Sequence, residues 1–289
     1  MSFYTSLSGL KGSQTEMSVI SNNIANAGSV GFKRSKAQFG DIFASSPTQS
    51  TKMIAGQGTR LNGITQQFTQ GSYEASEKTL DLAIVGEGMF IVKGEPPREA
   101  ITYTRNGAFE PTPDRYVIDS TGAKLQLLPV DANGNVTNNT LAGAFDLRLP
   151  TGAPTHPTSG LVNVSIGLDG LVTATFANGE DQVLGKVAMA TFPAMSGLRP
   201  TGDAHWQSTG ESGPPTIDGP TSGPMGAVRS GALERSNVDI TEELVMLMAA
   251  GVKIQNCDKI VPIIIDPDTQ NGDMNRTVNL LKTYKHLHD

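Results

Sequence analysis

The residues that could do chemistry are few, and their spacing does not suit it. Cys257 precedes His286 and His288, an order in which a thiol nucleophile and its base could occur. It falls near an apolar helical stripe, however, where a small buried hydrophobe is the default. Glu242 and Glu243 could serve as acid and base, yet they stand at a helix start, where carboxylates complement the helix dipole without any reaction. Asp131-Ala132-Asn133-Gly134-Asn135 and Asp266-Pro267-Asp268 resemble fragments of calcium loops. Neither has the following glycine and terminal glutamate that such loops need, so both read as turn or loop. Gly86-Glu87-Gly88 lacks the third glycine and the helix of a dinucleotide fingerprint. His156 and His205 lie in Pro/Gly-rich stretches with no partner at metal-ligand spacing, and Trp206 reads as a packing anchor. The expectation is a chain that is not an enzyme, with no catalytic, cofactor-binding or metal residues and no cofactor.

The elements that would position any site follow from composition and period. A length of 289 residues suits about two domains at ~150 residues each. The 32 Gly and 17 Pro favour tight turns and short strands over a helical bundle. A net charge of −6 offers no footprint for nucleic acid or an anionic membrane. A single cysteine excludes an internal disulfide. No apolar window is long enough for a transmembrane helix. The first twenty residues lack the basic, apolar and cleavage regions of a secretory signal, so a cytoplasmic protein or signal-independent export is expected.

Phe3, Leu7, Leu10, Met17 and Ile24 follow a heptad, with Val19 and Ile20 widening the stripe, which predicts a helix from Phe3 to about Ala27. Ile240, Leu244, Leu247, Gly251, Ile254 and Val261 predict a second helix, with Asn237, Asp239 and Thr241 as candidate caps. Pro262 should stop or kink it, leaving Ile263 to Ile265 extended. After a turn at Gln270-Asn271-Gly272, helical spacing resumes at Met274, Val278 and Leu281, so the C-terminal segment reads as a broken helix. Between the ends, short apolar runs recur at 80–85, 89–92, 116–118, 124–130, 162–166, 171–176 and 183–192. Asn133-Gly134, Asp169-Gly170 and Asn178-Gly179 are hairpin signals. The fold class is mixed and mainly β: β-rich middle domains flanked by N- and C-terminal amphipathic helices that pair in an assembled tube. The expected parts are an assembly helix at 1–30, an extended linker at 31–70, a β domain at 71–143 and 162–235, a loop or small outer excursion at 144–161, and a C-terminal assembly helix at 236–289, broken near Pro262.

Leu7-Ser8-Gly9-Leu10, then Ile20-Ser21-Asn22-Asn23-Ile24-Ala25-Asn26, then Val30-Gly31-Phe32-Lys33 closely resemble the N-terminal motif of the bacterial flagellar rod and hook family. Physically, Asn26 to Gly28 can end a helix, Gly31 permits a tight bend, and Phe32 anchors the exit. Gly56-Gln57-Gly58, Ile64 to Gly71, Leu80 to Phe90, Tyr103 to Phe109 and Gly231 to Asp239 resemble further family boxes in the same order. The opening residues and Lys36 to Phe43 look most like hook members, whereas the short middle suits distal rod members, the alternative.

The resemblance implies a self-assembling tube with an inner layer built from both termini, and export through the flagellar secretion apparatus to the hook or basal body. It implies as partners other copies of the chain, the rod, hook-cap and hook-filament junction proteins, and that export apparatus. The assembly residues would be Leu7, Leu10, Met17, Ile20, Asn22, Asn23, Ile24, Asn26, Gly31 and Phe32, with Ile240, Leu244, Leu247 and Ile254. A β-rich adhesin or a glycan-active enzyme would explain the middle but neither terminal helix.

Overall fold

A computed structural model describes residues 2–43, 56–95, 99–131 and 134–265, which divide into two compact units. The first unit contains α1 (Ser2–Ala25), β1 (Ser35–Phe43), nearly all of β2 (Gly56–Gln66) and α2 (Ile240–Ile265). The second comprises residues 26–34 and 66–238.

In the first unit the two helices pack along each other. Glu16 pairs with Lys253 at 3.0 Å and Asn23 with Glu243 at 3.3 Å, an order of partners that makes the pair antiparallel. Val19, Ile20 and Ala250 are buried in it. Within 31–70, expected as an extended linker, Ser35–Phe43 and Gly56–Gln66 pair as the two-stranded β1–β2 ribbon, with Gln38 donating to Thr65. Most of β2 is exposed, which is why its sequence carries so few apolar residues. Thr59 N–H donates to Ser8 Oγ at 3.2 Å, setting the ribbon against α1.

The expected break at Pro262 is absent: α2 continues through it to Ile265. Proline removes one backbone donor and crowds the carbonyl one turn back, but its fixed φ is itself helical. The helix loses a bond near its end and goes on, so Ile263 to Ile265 belong to its last turn. Asp266-Pro267-Asp268, Gln270-Asn271-Gly272, Met274, Val278, Leu281, His286 and His288 lie outside the described residues, as does the side chain of Cys257.

The second unit is all β apart from two short 3-10 turns at Leu141–Gly143 and Met195–Gly197. Its first strands are β3 (Tyr73–Ala75), β4 (Leu82–Val85), β5 (Met89–Lys93), β6 (Ile101–Thr104), β7 (Glu110–Pro111), β8 (Val117–Ile118), β9 (Lys124–Leu128) and β10 (Phe145–Asp146). β11 (Leu161–Ile166), β12 (Leu171–Phe176), β13 (Asp181–Val187), β14 (Met189–Thr191) and β15 (Arg199–Gly202) follow. β16 (His205–Gln207), β17 (Thr216–Asp218), β18 (Ala227–Ser230) and β19 (Ala232–Glu234) complete it. One antiparallel sheet runs β11-β12-β13-β9-β5-β6-β16-β15, with β7, β8, β10, β14 and β17 joined to its side, while β18–β4 and β19–β3 form separate pairs. In segment 144–161, expected as a loop or small outer excursion, β10 pairs with β9 and Leu147, Leu149 and Ala153 are buried, while residues 154–158 form an exposed loop.

β5 explains the core. Its apolar run is continuous because both faces are covered: Phe90 and Val92 join one cluster with Phe109, Val117 and Leu125, while Met89 and Ile91 join another with Tyr103, Phe192 and Trp206. Phe90 meets Phe109 edge to face at 5.5 Å, and Trp206 meets Phe68 at 5.3 Å, the anchoring role expected of it. Phe90→Ala should therefore destabilise the protein by about 3–5 kcal/mol; a urea melt followed by tryptophan fluorescence measures it, and a loss under 1 kcal/mol would contradict this packing.

Candidate assembly site at the chain termini

Three distant stretches of the second unit meet at one buried carboxylate. The side chain of Glu234, at the end of β19, is fully buried, as is that of Lys33. Glu234 Oε1 accepts from Lys33 Nζ at 2.6 Å and from the backbone N–H of Gly71 at 3.0 Å, while Oε2 accepts from Arg105 Nη1 at 3.1 Å. Lys33 Nζ also donates to Thr69 O at 2.8 Å, and Arg105 Nη2 to Gly86 O at 2.8 Å. Two cations thus share one anion away from water. Burial pushes the Lys33 ammonium below its ordinary value, with Arg105 adding to the effect and Glu234 opposing it.

The backbone is shaped to allow this. Gly31 has φ +69°, and a Cβ there would lie 2.5 Å from Asn106 N, so only glycine passes; its N–H donates to Glu234 O at 2.8 Å. Asn237 Oδ1 accepts from Arg34 N–H at 2.7 Å, its Nδ2 donates to Gln67 O at 2.8 Å, and Gln67 N–H donates to Arg34 O at 2.8 Å. Residues 34, 67 and 237, each beside a point where the chain leaves this unit, are therefore stitched side by side.

In the first unit, Asp239 Oδ1 caps α2 by accepting from Thr241 and Glu242 N–H at 2.8 and 3.2 Å. Asn237, an expected cap, serves the second unit instead. Glu243, read as a dipole partner, is buried and accepts from Asn23 Nδ2. Asn23 also exchanges two 2.9 Å bonds with the backbone of Ser35, so it joins α1, β1 and α2.

Of the other expected residues, Ile20 is buried, whereas Leu7, Leu10, Met17, Ile24, Leu247 and Ile254 are half-buried in this unit and Asn26 is half-buried in the second. Asn22 is exposed. Ile240 and Leu244 are 52% and 46% exposed. Phe32 is half-buried in the second unit. Sequence reasoning missed Arg105, Glu234 and Lys33 as a cluster, although each lies in a box it had quoted. It also missed Val245, Met248 and Val252, which make a second, outward apolar row on α2 and are 56%, 64% and 56% exposed.

Residues 83–174 match the family described as "Flagellar hook protein FlgE/F/G D1 domain", and residues 3–33 match "Flagella basal body rod protein". The flagellar basal-body rod protein FlgG of Bacillus subtilis (strain 168) is 31% identical, covering 90% of this chain and 93% of that protein. The chain belongs to the flagellar rod and hook family. FlgG of Buchnera aphidicola subsp. Baizongia pistaciae is 31% identical over 84% of this chain and 87% of that protein. The flagellar hook protein FlgE of Salmonella typhimurium is 24% identical, covering 97% of this chain and all of that protein. The relatives are structural proteins of the flagellum, and this rod/hook chain shows, among its described residues, no cluster of ligands that could hold a metal and no helix long and apolar enough to cross a membrane.

Removing Glu234 and removing Lys33 should differ in cost. Glu234→Gln leaves two buried cations without an anion and should cost about 3–5 kcal/mol. Lys33→Met leaves the Arg105–Glu234 pair balanced and should cost clearly less. Denaturant melts of the two variants check the order, and equal losses would show that charge balance is not what matters.

Proposed function

We propose that this chain is a structural subunit that polymerises with copies of itself in the straight distal rod of the flagellar basal body. The observation that carries polymerisation is the outward face of α2, where Leu244, Val245, Met248 and Val252 stand in water on a helix whose other face is already paired with α1. An isolated helix pair is marginal, and this row becomes favourable only when a second copy covers it. On this reading the half-buried seam residues of α1 and α2 border that contact. The neighbours on this reading would be other rod proteins and the export apparatus that delivers the subunit; the hook-cap and hook-filament junction proteins would be neighbours of a hook subunit.

Length supports rod over hook. The FlgG relatives share 84–90% of this chain and 87–93% of their own length, whereas the alignment with the Salmonella hook protein extends over 417 positions, beyond the 289 of this chain. A hook subunit is the second reading, favoured by the opening boxes and by 34% identity over 163 residues with the hook protein of Borreliella burgdorferi, 52% of this chain and 36% of that protein.

Met248→Asp tests the polymer contact. Its side chain is largely in water in the monomer, so the variant should unfold within about 0.5 kcal/mol of the parent, yet form no tubes in sedimentation and negative-stain imaging. Normal tubes would remove α2 from the contact. Electron microscopy of basal bodies from cells lacking the gene separates rod from hook: loss of the distal rod is expected, and an intact rod without a curved segment would favour the hook.

A further inference from the structure

The hairpin formed by β15 and β16 turns through Asp203 and Ala204, both with left-handed φ, +51° and +56°. Two-residue turns of this kind favour Asn-Gly, and non-glycine residues hold the conformation only where their surroundings impose it. The next residue, His205, supplies that constraint. Its buried ring places Nε2 2.7 Å from Asp119 Oδ2, in the turn between β8 and β9, and Nδ1 2.8 Å from Asp203 O. Both ring nitrogens face acceptors, so both must carry protons to be satisfied, and that is the charged imidazolium.

The carboxylate is equally committed. Asp119 Oδ1 accepts from Thr121 N–H, Thr121 Oγ1 and Ala123 N–H at 2.8, 2.7 and 3.0 Å, so Asp119 acts as an acceptor on both oxygens. The charged groups that face the ring are Asp119 and Asp203; β6, its strand partner, brings Thr104, whose hydroxyl donates to Ala204 O at 2.8 Å. We propose that His205 is a pH-sensitive latch: doubly protonated, it pins the β15–β16 hairpin onto the β8–β9 turn, and loss of its proton lets the hairpin open.

The electrostatics agree with the geometry. Burial alone would lower the His205 pKa, but the hydrogen bond and charge of Asp119 outweigh it, and the net shift is upward from 6.5. For Asp119 burial acts to raise the pKa, while the bonds from His205 and Thr121 outweigh it and hold the carboxyl down. A group whose folded pKa is raised contributes stability that is complete below its unfolded value and is lost as pH rises through the folded one. The latch is therefore closed in mild acid and released on the alkaline side.

The test uses the full chain as soluble monomer. Nitrogen NMR of the imidazoles should show His205 with protons on both nitrogens at pH 6.5 and a titration above the ordinary histidine value. Amide exchange in residues 205–207, corrected for its intrinsic pH dependence, should rise about tenfold per pH unit between 6.5 and the folded pKa and then level off. Asp119→Asn should move the titration downward. Should that variant fail to fold, the parent titration still decides. A neutral ring at pH 6.5, or hairpin protection that stays constant through the His205 titration, overturns the proposal.

Discussion

A single carboxylate shared by two buried cations constrains the second unit more than any other polar contact. Lys33, Arg105 and Glu234 are far apart in the chain, and each lies in an element too short or irregular to hold itself: a bend after Gly31, the end of β6, and three-residue β19. A two-stranded pair such as β3–β19 has little independent stability. The ion cluster fixes its register instead, because a slip would strand a charge in the interior. Its net contribution to stability is small or negative, since desolvating ions costs several kcal/mol each and pairing only roughly offsets it. What it supplies is a penalty on every alternative arrangement.

Stability comes from elsewhere. Each fully buried Leu, Ile, Val or Phe contributes about 1.5–3 kcal/mol, and β5 alone buries Met89, Phe90, Ile91 and Val92 between two clusters. The two effects divide the work: the apolar sheet makes the unit stable, and the buried charges, with the Asn237 bonds to Arg34 and Gln67, set where the chain leaves it. The same side-chain amide logic recurs in the first unit, where Asn23 binds Ser35 and Glu243 together. An asparagine can serve as donor and acceptor at once, so one residue satisfies backbone ends from several elements.

These roles explain what the sequence disclosed. β12 was legible to the residue because Val172, Ala174 and Phe176 alternate with Thr173 and Thr175 and the run is bounded by Asp169-Gly170 and Asn178-Gly179, with Gly170 and Gly179 at positive φ. Both helices were legible from their apolar period. The ribbon β1–β2, the strands β3 and β6, and most strands after residue 198 were not, since they are short or exposed and draw their order from partners far along the chain. Lys33, Arg105 and Glu234 each look like an ordinary surface charge when read locally. Their pairing is a property of the fold that no local pattern carries. Pro262 misled for the opposite reason: a strong local rule yielded to the continuing helix.

The α2 helix shows why one apolar period was too simple a reading. The row containing Leu247, Gly251 and Ile254 is half-buried in the unit, as a helix pair requires, but Val245, Met248 and Val252 form a row displaced around the axis that stands largely in water. A helix serving one partner needs one stripe, and a second stripe is a cost to solubility unless something else meets it. Ala250 is buried on the face that packs within the unit, small enough to keep that neighbour close. The helix thus has one face met within the chain and one left for a partner outside it; a self-complementary row would close as a pair, so propagation of a polymer requires this row to meet a different surface of the next copy.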